Sequence, residues 1–237
     1  MNYHRALGNA KNERQLSSRE GKRISPRNPL QSEKLDQINQ SVQLMNTRHS
    51  KEAIIAHGEV LFRSRGYHNT GINEILKTAK ISKGSFYNYF ASKEDYALEV
   101  IQYYGNQVFT LIATHLSDTT VPPLDRLRGF FDMMMAYNEE EKCENGCLVY
   151  NFAFEVAGQN PRFSNALEAQ ITRWLGPIET CIAQGQADGT IRTSHSAREL
   201  AAVLHTSING AAGRMKMERS STPMREVAYT LLTMMAV

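Results

Sequence analysis

From Lys51 onward apolar positions recur at helical spacing, and no stretch alternates with period two for long enough to form a strand. The most compact instance is Thr70 to Lys93. There Ile72, Ile75, Leu76 and Ala79 put one apolar face on a short helix that ends near Lys80. Ser82 is a natural N-cap for a second helix, on which Phe86, Tyr89 and Phe90 are spaced to pack inward while Lys83, Ser85, Tyr87 and Asn88 fall on the other side. Two short helices joined by a turn of about three residues predict a helix-turn-helix, whose second helix lies in the DNA major groove.

The flanking pattern predicts an all-α chain. A helix from Lys51 to Arg65 closes at Gly66, expected as a left-handed cap, and packs across the reading motif. Ser92 caps a helix carrying Tyr96, Val100, Ile101, Tyr104, Val108 and Ile112, long enough to link a DNA-reading head to the rest. Pro122 and Pro123 open another, ended by the acidic run Glu139 to Glu141. Asn160 and Pro161 begin a long helix to Ala187, which Gly176-Pro177 should interrupt and kink. Gly189 stops it, Ser194 or Ser196 caps the next (Ala197 to about Glu218), and Pro223 begins the last. Leu200, Ala201, Leu204, Ile208, Ala211 and Ala212 form a small-residue stripe, which suits either a homodimer through the last two helices or a cover for the chain's own core.

The chemistry of the second short helix suits a phosphate-flanked groove. Its N-terminus presents backbone N–H groups, Gly84 lets a phosphate approach, Lys83 and Lys93 add charge, and Ser85, Tyr87, Asn88 and Tyr89 donate hydrogen bonds. With Thr70 these form the candidate set for a double-stranded DNA operator; the plainer alternative is a packing unit with a solvated polar face. Charge separates the readings. Net charge is only +3, but residues 1–44 carry 8 Lys and Arg against 4 Asp and Glu, residues 45–93 carry 8 against 3, and residues 94–237 carry 11 against 17. A basic reading segment on an acidic body fits DNA binding at one end.

At Gly66-Tyr67, Ser82-Lys83-Gly84-Ser85-Phe86-Tyr87-Asn88-Tyr89-Phe90 and Ser92-Lys93-Glu94 the chain resembles the TetR/AcrR family of one-component transcriptional repressors. One departure is Lys80, where the family often has Gly; a left-handed lysine there costs roughly 1 kcal/mol. The resemblance implies a three-helix DNA-binding domain over 45–93 and an effector-binding and dimerisation domain over 94–237. An effector entering a cavity in the latter shifts the linking helix and frees a near-palindromic operator. Phe130, Met134, Phe154 and Trp174 can line such a cavity or simply be core. Gly146-Cys147-Leu148 followed by Glu155, with Gly210-Ala211 and Lys216, resembles a smaller branch of the family, the repressors of NemR and AcuR type, whose signals are electrophiles and acrylate.

Composition adds bounds. With 237 residues, 41% of them hydrophobic, the chain can build a large core. The longest uncharged run, Val100 to Ser117, is too polar for a bilayer, no secretory leader is apparent, and three cysteines without framework spacing suit a reducing cytoplasm. Residues 1–44, rich in Ser, Asn, Gln and basic residues, read as a disordered basic arm, or as the product of an upstream start ahead of Met45.

Cys147, at an expected helix start, is a candidate sensor thiol whose pKa the helix dipole would pull below about 8.5, with the Lys216 ammonium as a second push; the alternative is core packing. Cys143 is a candidate resolving thiol, and Cys181 is expected in the core. An enzyme would need Cys147 as nucleophile with His195 or His205 as base, and no nucleophile elbow, metal-ligand spacing or phosphate loop accompanies them. No cofactor or metal is therefore expected. An unregulated DNA-architectural protein would have no use for the long acidic body.

Overall fold

A computed structural model describes residues 50–237; the expectations for residues 1–44 lie outside the described residues. Among the described residues nine α-helices follow one another. They are α1 Lys51–Arg65, α2 Ile72–Ala79, α3 Lys83–Tyr89, α4 Lys93–Leu116, α5 Pro123–Glu140, α6 Leu148–Phe152, α7 Pro161–Ala187, α8 Ala197–Glu218 and α9 Thr222–Met235. A π-helical turn, Ala153–Ala157, continues α6. The only sheet-like pairing among these residues is one antiparallel bridge between Ile191 and Ala236, and no helix is long and apolar enough to cross a membrane.

Local capping sets the head. Ser50 accepts the Ala53 N–H and Ser82 the Ser85 N–H, starting α1 and α3. Lys80 ends α2 in the left-handed region (φ 55°, ψ 42°), and its N–H bonds the Leu76 carbonyl, so the turn keeps its geometry without glycine. Gly66 also has positive φ (80°), but its ψ of 176° lies outside the left-handed helical well in which a cap was expected. Ile75, Phe86, Phe90 and Tyr96 are fully buried between the short helices and α4. Tyr96 donates to the Ile54 carbonyl at 2.7 Å, locking α1 onto α4. The two helices meet at Gly58, where a Cβ would stand 2.6 Å from the Val100 side chain.

The body packs α4 through α9 around Leu127, Phe152, Phe163, Trp174, Ile182, Leu204 and Met215, all nearly inaccessible. Helix α7 runs unbroken through Pro177 rather than being interrupted there. Trp174, Ile178, Cys181 and Ile182, buried on both sides of the proline, outweigh the roughly 3 kcal/mol that a mid-helix proline costs. Ser196, not Ser194, caps α8, with Glu199 completing a capping box.

Candidate DNA-reading face and regulatory cavity

On α3, Lys83, Gly84, Tyr87, Asn88 and Tyr89 are exposed and Ser85 is half-buried. Tyr89, expected to pack inward, is 43% exposed like Tyr87, because Phe86 and Phe90 already fill the inward positions. The Ser85 N–H and hydroxyl are engaged with Ser82. One of the expected contacts is corrected. Thr70 is fully buried and its hydroxyl donates to the Gly66 carbonyl at 2.7 Å, so it shapes the turn between α1 and α2 and presents nothing to DNA. Lys93 lies half-buried with Nζ 4.1 Å above the Tyr67 ring, and burial lowers its pKa against the opposing pull of Glu155. It stands at the junction between head and body.

In the body a cavity of about 50 Å³ opens among α4, α5, α7 and α8. That is room for about four waters or a molecule of a few heavy atoms. Phe130, Met134 and Trp174 line it as expected. Phe154 does not: it is 84% exposed, because Phe152, two residues earlier and therefore on the opposite side of the helix, takes the inward place.

Cys147 stands in the cavity wall immediately before α6. Its pKa is raised, not lowered: desolvation is the largest influence and outweighs hydrogen bonds from the Tyr150 and Val149 N–H groups and the Tyr104 hydroxyl, and the charge of Arg63. The helix start does act on the sulfur as the sequence suggested, but burial wins. Lys216 brings its stem beside Gly146, where a Cβ would lie 3.5 Å from its Cδ, yet the cation whose charge acts on the thiol is Arg63. Cys143 is buried with a raised pKa, first by desolvation, then by Glu139. Cys181 is core, its thiol donating to the Pro123 carbonyl.

Sequence reasoning missed most of the polar wall, which Asn138, His205 and Asn209 supply. His205 was legible as a polar residue inside the apolar row Ala201, Leu204, Ile208, Ala212. It shares the cavity with Cys147, whereas His195 is exposed in a groove between the ends of α8 and α9. Burial pushes the His205 pKa down to about 4, and its Nδ1 lies 3.3 Å from the Tyr150 hydroxyl. Among the described residues the wall carries no charged side chain, and His205 is neutral at neutral pH. A histidine whose folded pKa is depressed stabilises the fold above pH 6.5, and that contribution is lost as pH falls toward 4. The difference is worth about 3 kcal/mol. Urea denaturation of His205→Gln should therefore lose about that much less stability than the parent between pH 6.5 and 4.

A helix-turn-helix with an exposed polar reading face, joined to a larger helical body with an internal cavity, defines a DNA-binding transcriptional regulator. Residues 54–100 match the bacterial regulatory proteins of the tetR family, and residues 123–231 match the tetracyclin repressor-like C-terminal domain. The chain belongs to the TetR family. It is 33% identical over 174 residues to the HTH-type transcriptional repressor DhaR of Mycobacterium sp. (strain GP1), covering 73% of this chain and 86% of that one. It is 30% identical over 189 residues to the transcriptional regulator AcuR of Cereibacter sphaeroides, covering 77% and 86%. The crystal structure of a regulatory protein TetR from Rhodobacter sphaeroides superposes with a TM-score of 0.74 at 30% identity, covering 78% of this chain and 98% of that one.

Proposed function

We propose that the protein is a repressor that binds a near-palindromic operator as a homodimer and is released when a small, uncharged, thiol-reactive molecule enters the cavity and modifies Cys147. The observation that carries this reading is the Cys147 thiol standing in the wall of a small cavity among neutral polar groups. With no charged side chain in the wall, a buried carboxylate would have no ion-pair partner lining the cavity, which favours neutral ligands. The reading places the DNA-binding domain in residues 45–93 and the effector-binding and dimerisation domain in 94–237.

The dimer contact falls on α8 and α9, though not on the stripe read from the sequence: Ala201, Leu204, Ile208, Ala211 and Ala212 are spent on the chain's own core. The neighbouring row Val203, Thr206, Gly210, Gly213 and Met217 is exposed at three- and four-residue spacing, with Met234 exposed on α9. A Cβ on Gly210 or Gly213 would meet nothing, so a second copy can approach closely there.

The test is operator binding before and after acrolein, an uncharged electrophile of four heavy atoms, in the parent and in Cys147→Ser. In the addition the S–C bond forms at the terminal vinyl carbon as the C=C π bond breaks, and the thiol proton ends on the carbon next to the carbonyl. The expected result is a loss of affinity of tenfold or more in the parent alone. The raised thiol pKa favours a second reading, in which the ligand fills the cavity without a bond. Equal loss in both proteins would select it, and no loss in either would remove the enal as an effector.

A further inference from the structure

We propose that Glu155 and Arg63 are the positioning residues through which the cavity wall sets the orientation of the DNA-reading head. Two charged side chains cross the junction in opposite directions. From the body, the Glu155 carboxylate accepts the Tyr67 N–H at 2.8 Å and the His68 N–H at 2.6 Å, both in the turn between α1 and α2. From the head, Arg63 on α1 donates Nε and Nη2 to the Gly146 carbonyl at 3.3 and 3.2 Å, and Nη1 to the Tyr137 hydroxyl at 2.8 Å. Gly146 directly precedes Cys147, and both line the cavity. The same short segment, from Gly146 to the π-helical turn, thus forms the cavity wall at one end and holds the head at the other.

The geometry is specific to this use. Gly66 lies against the Glu155 carboxylate so closely that a Cβ would stand 2.6 Å from Oε2, and its φ of 80° is strained for any other residue. The turn that Glu155 grips continues into α2, and its Tyr67 ring carries Lys93 at the start of α4. Movement of Glu155 therefore acts on both helices that flank α3. The Tyr67 ring also packs against Phe152 of α6 at 5.8 Å and Phe163 of α7 at 5.0 Å, so the grip is backed by apolar contact. A π-helical turn is a rare departure from the α-helix that recurs at functional sites, and here it aims Glu155 at the head while Phe154 faces solvent. The charge-assisted Arg63 bonds, buried at the junction, outweigh the contact of Arg162 with Glu94 and Asp95 at the start of α4, whose arginine is 57% exposed and screened by water.

Coupling of this kind is reciprocal: if the wall moves the head, operator binding moves the wall. The assignment deepens the proposed regulation of the same cavity, and its test needs no effector, so failure of the electrophile experiment leaves it readable. Trp174, the chain's single tryptophan, lines the cavity and reports on the wall. The full chain is titrated with an operator duplex that it has itself selected from random DNA. Binding is followed by anisotropy of a dye on the duplex, and the wall by Trp174 emission. In the parent, saturation with operator shifts the emission. In Glu155→Gln, where an amide N–H₂ opposes one backbone N–H, and in Arg63→Lys, the shift at saturation falls by at least half. Arg162→Ala, cutting only the exposed link, keeps it. A residue that merely stabilises the fold would lower the melting temperature and leave the shift at saturation unchanged. Should one variant fail to fold, the other decides. No emission change in the parent, or a full change in a folded variant saturated with operator, overturns the proposal.

Discussion

Tyr87→Ala is expected to weaken binding to the selected operator by about thirtyfold or more while leaving the fold intact. Tyr87 is 43% exposed on the outer side of α3, and the buried anchors on that helix are Phe86 and Phe90, so truncation removes a reading group and little core. A side chain that reads a base edge contributes about 1–3 kcal/mol, and in a dimer each substitution is made at both half-sites, which doubles the loss to about 2–6 kcal/mol. The effect should be uneven across operator variants, whereas Lys83→Ala should weaken all sequences alike and flatten the salt dependence. Competition titrations against operators altered one base pair at a time, at two salt concentrations, distinguish these outcomes. Unchanged affinity for both variants would remove α3 from the groove.

Trp174→Ala is expected to cost about 3–5 kcal/mol of stability, the range for deleting a large buried aromatic side chain. Trp174 is fully buried, packs against Tyr104 and His205, and donates its indole N–H to the Gly105 carbonyl at 3.0 Å, tying α7 to α4. Its removal enlarges the cavity and detaches the long helix of the body from the helix that carries the head. Guanidinium unfolding should show a lower midpoint. An apolar molecule the size of benzene should recover part of the loss by filling the new space, as dry engineered cavities do. A loss below about 1 kcal/mol would mean that neighbouring side chains collapse into the gap.

What was legible in the sequence is what local chemistry decides. Ser82 and Ser92 were readable as caps because an N-cap depends on a few neighbouring residues, and each accepts the expected backbone N–H, while Ser194 and Ser196 both stayed open for α8 until the structure chose Ser196. Periodicity likewise separated the helices and placed Phe130, Met134 and Trp174 on the inward side. The misreadings concern side chains whose partners are far along the chain. Nothing near Lys93 in the sequence says that its ammonium rests over the Tyr67 ring. Arg63 looks like an ordinary basic residue in the last turn of a helix, and nothing nearby says that its guanidinium ends on a carbonyl 83 residues away. Cys147 shows the same limit in its chemistry, since the helix start that lowers its pKa is visible in the sequence and the burial that raises it is not.

That burial also sets the tempo of any covalent signal. Only the thiolate attacks, so a thiol held protonated inside the wall reacts slowly, however strong the reagent that reaches it. A brief pulse of electrophile would disappear into faster thiols elsewhere before many copies of this chain were marked. Sustained exposure would accumulate, and a stable thioether would outlast the compound that made it. The thiol in the cavity wall would then act as a dosimeter, registering the integral of exposure over time instead of the concentration at any instant.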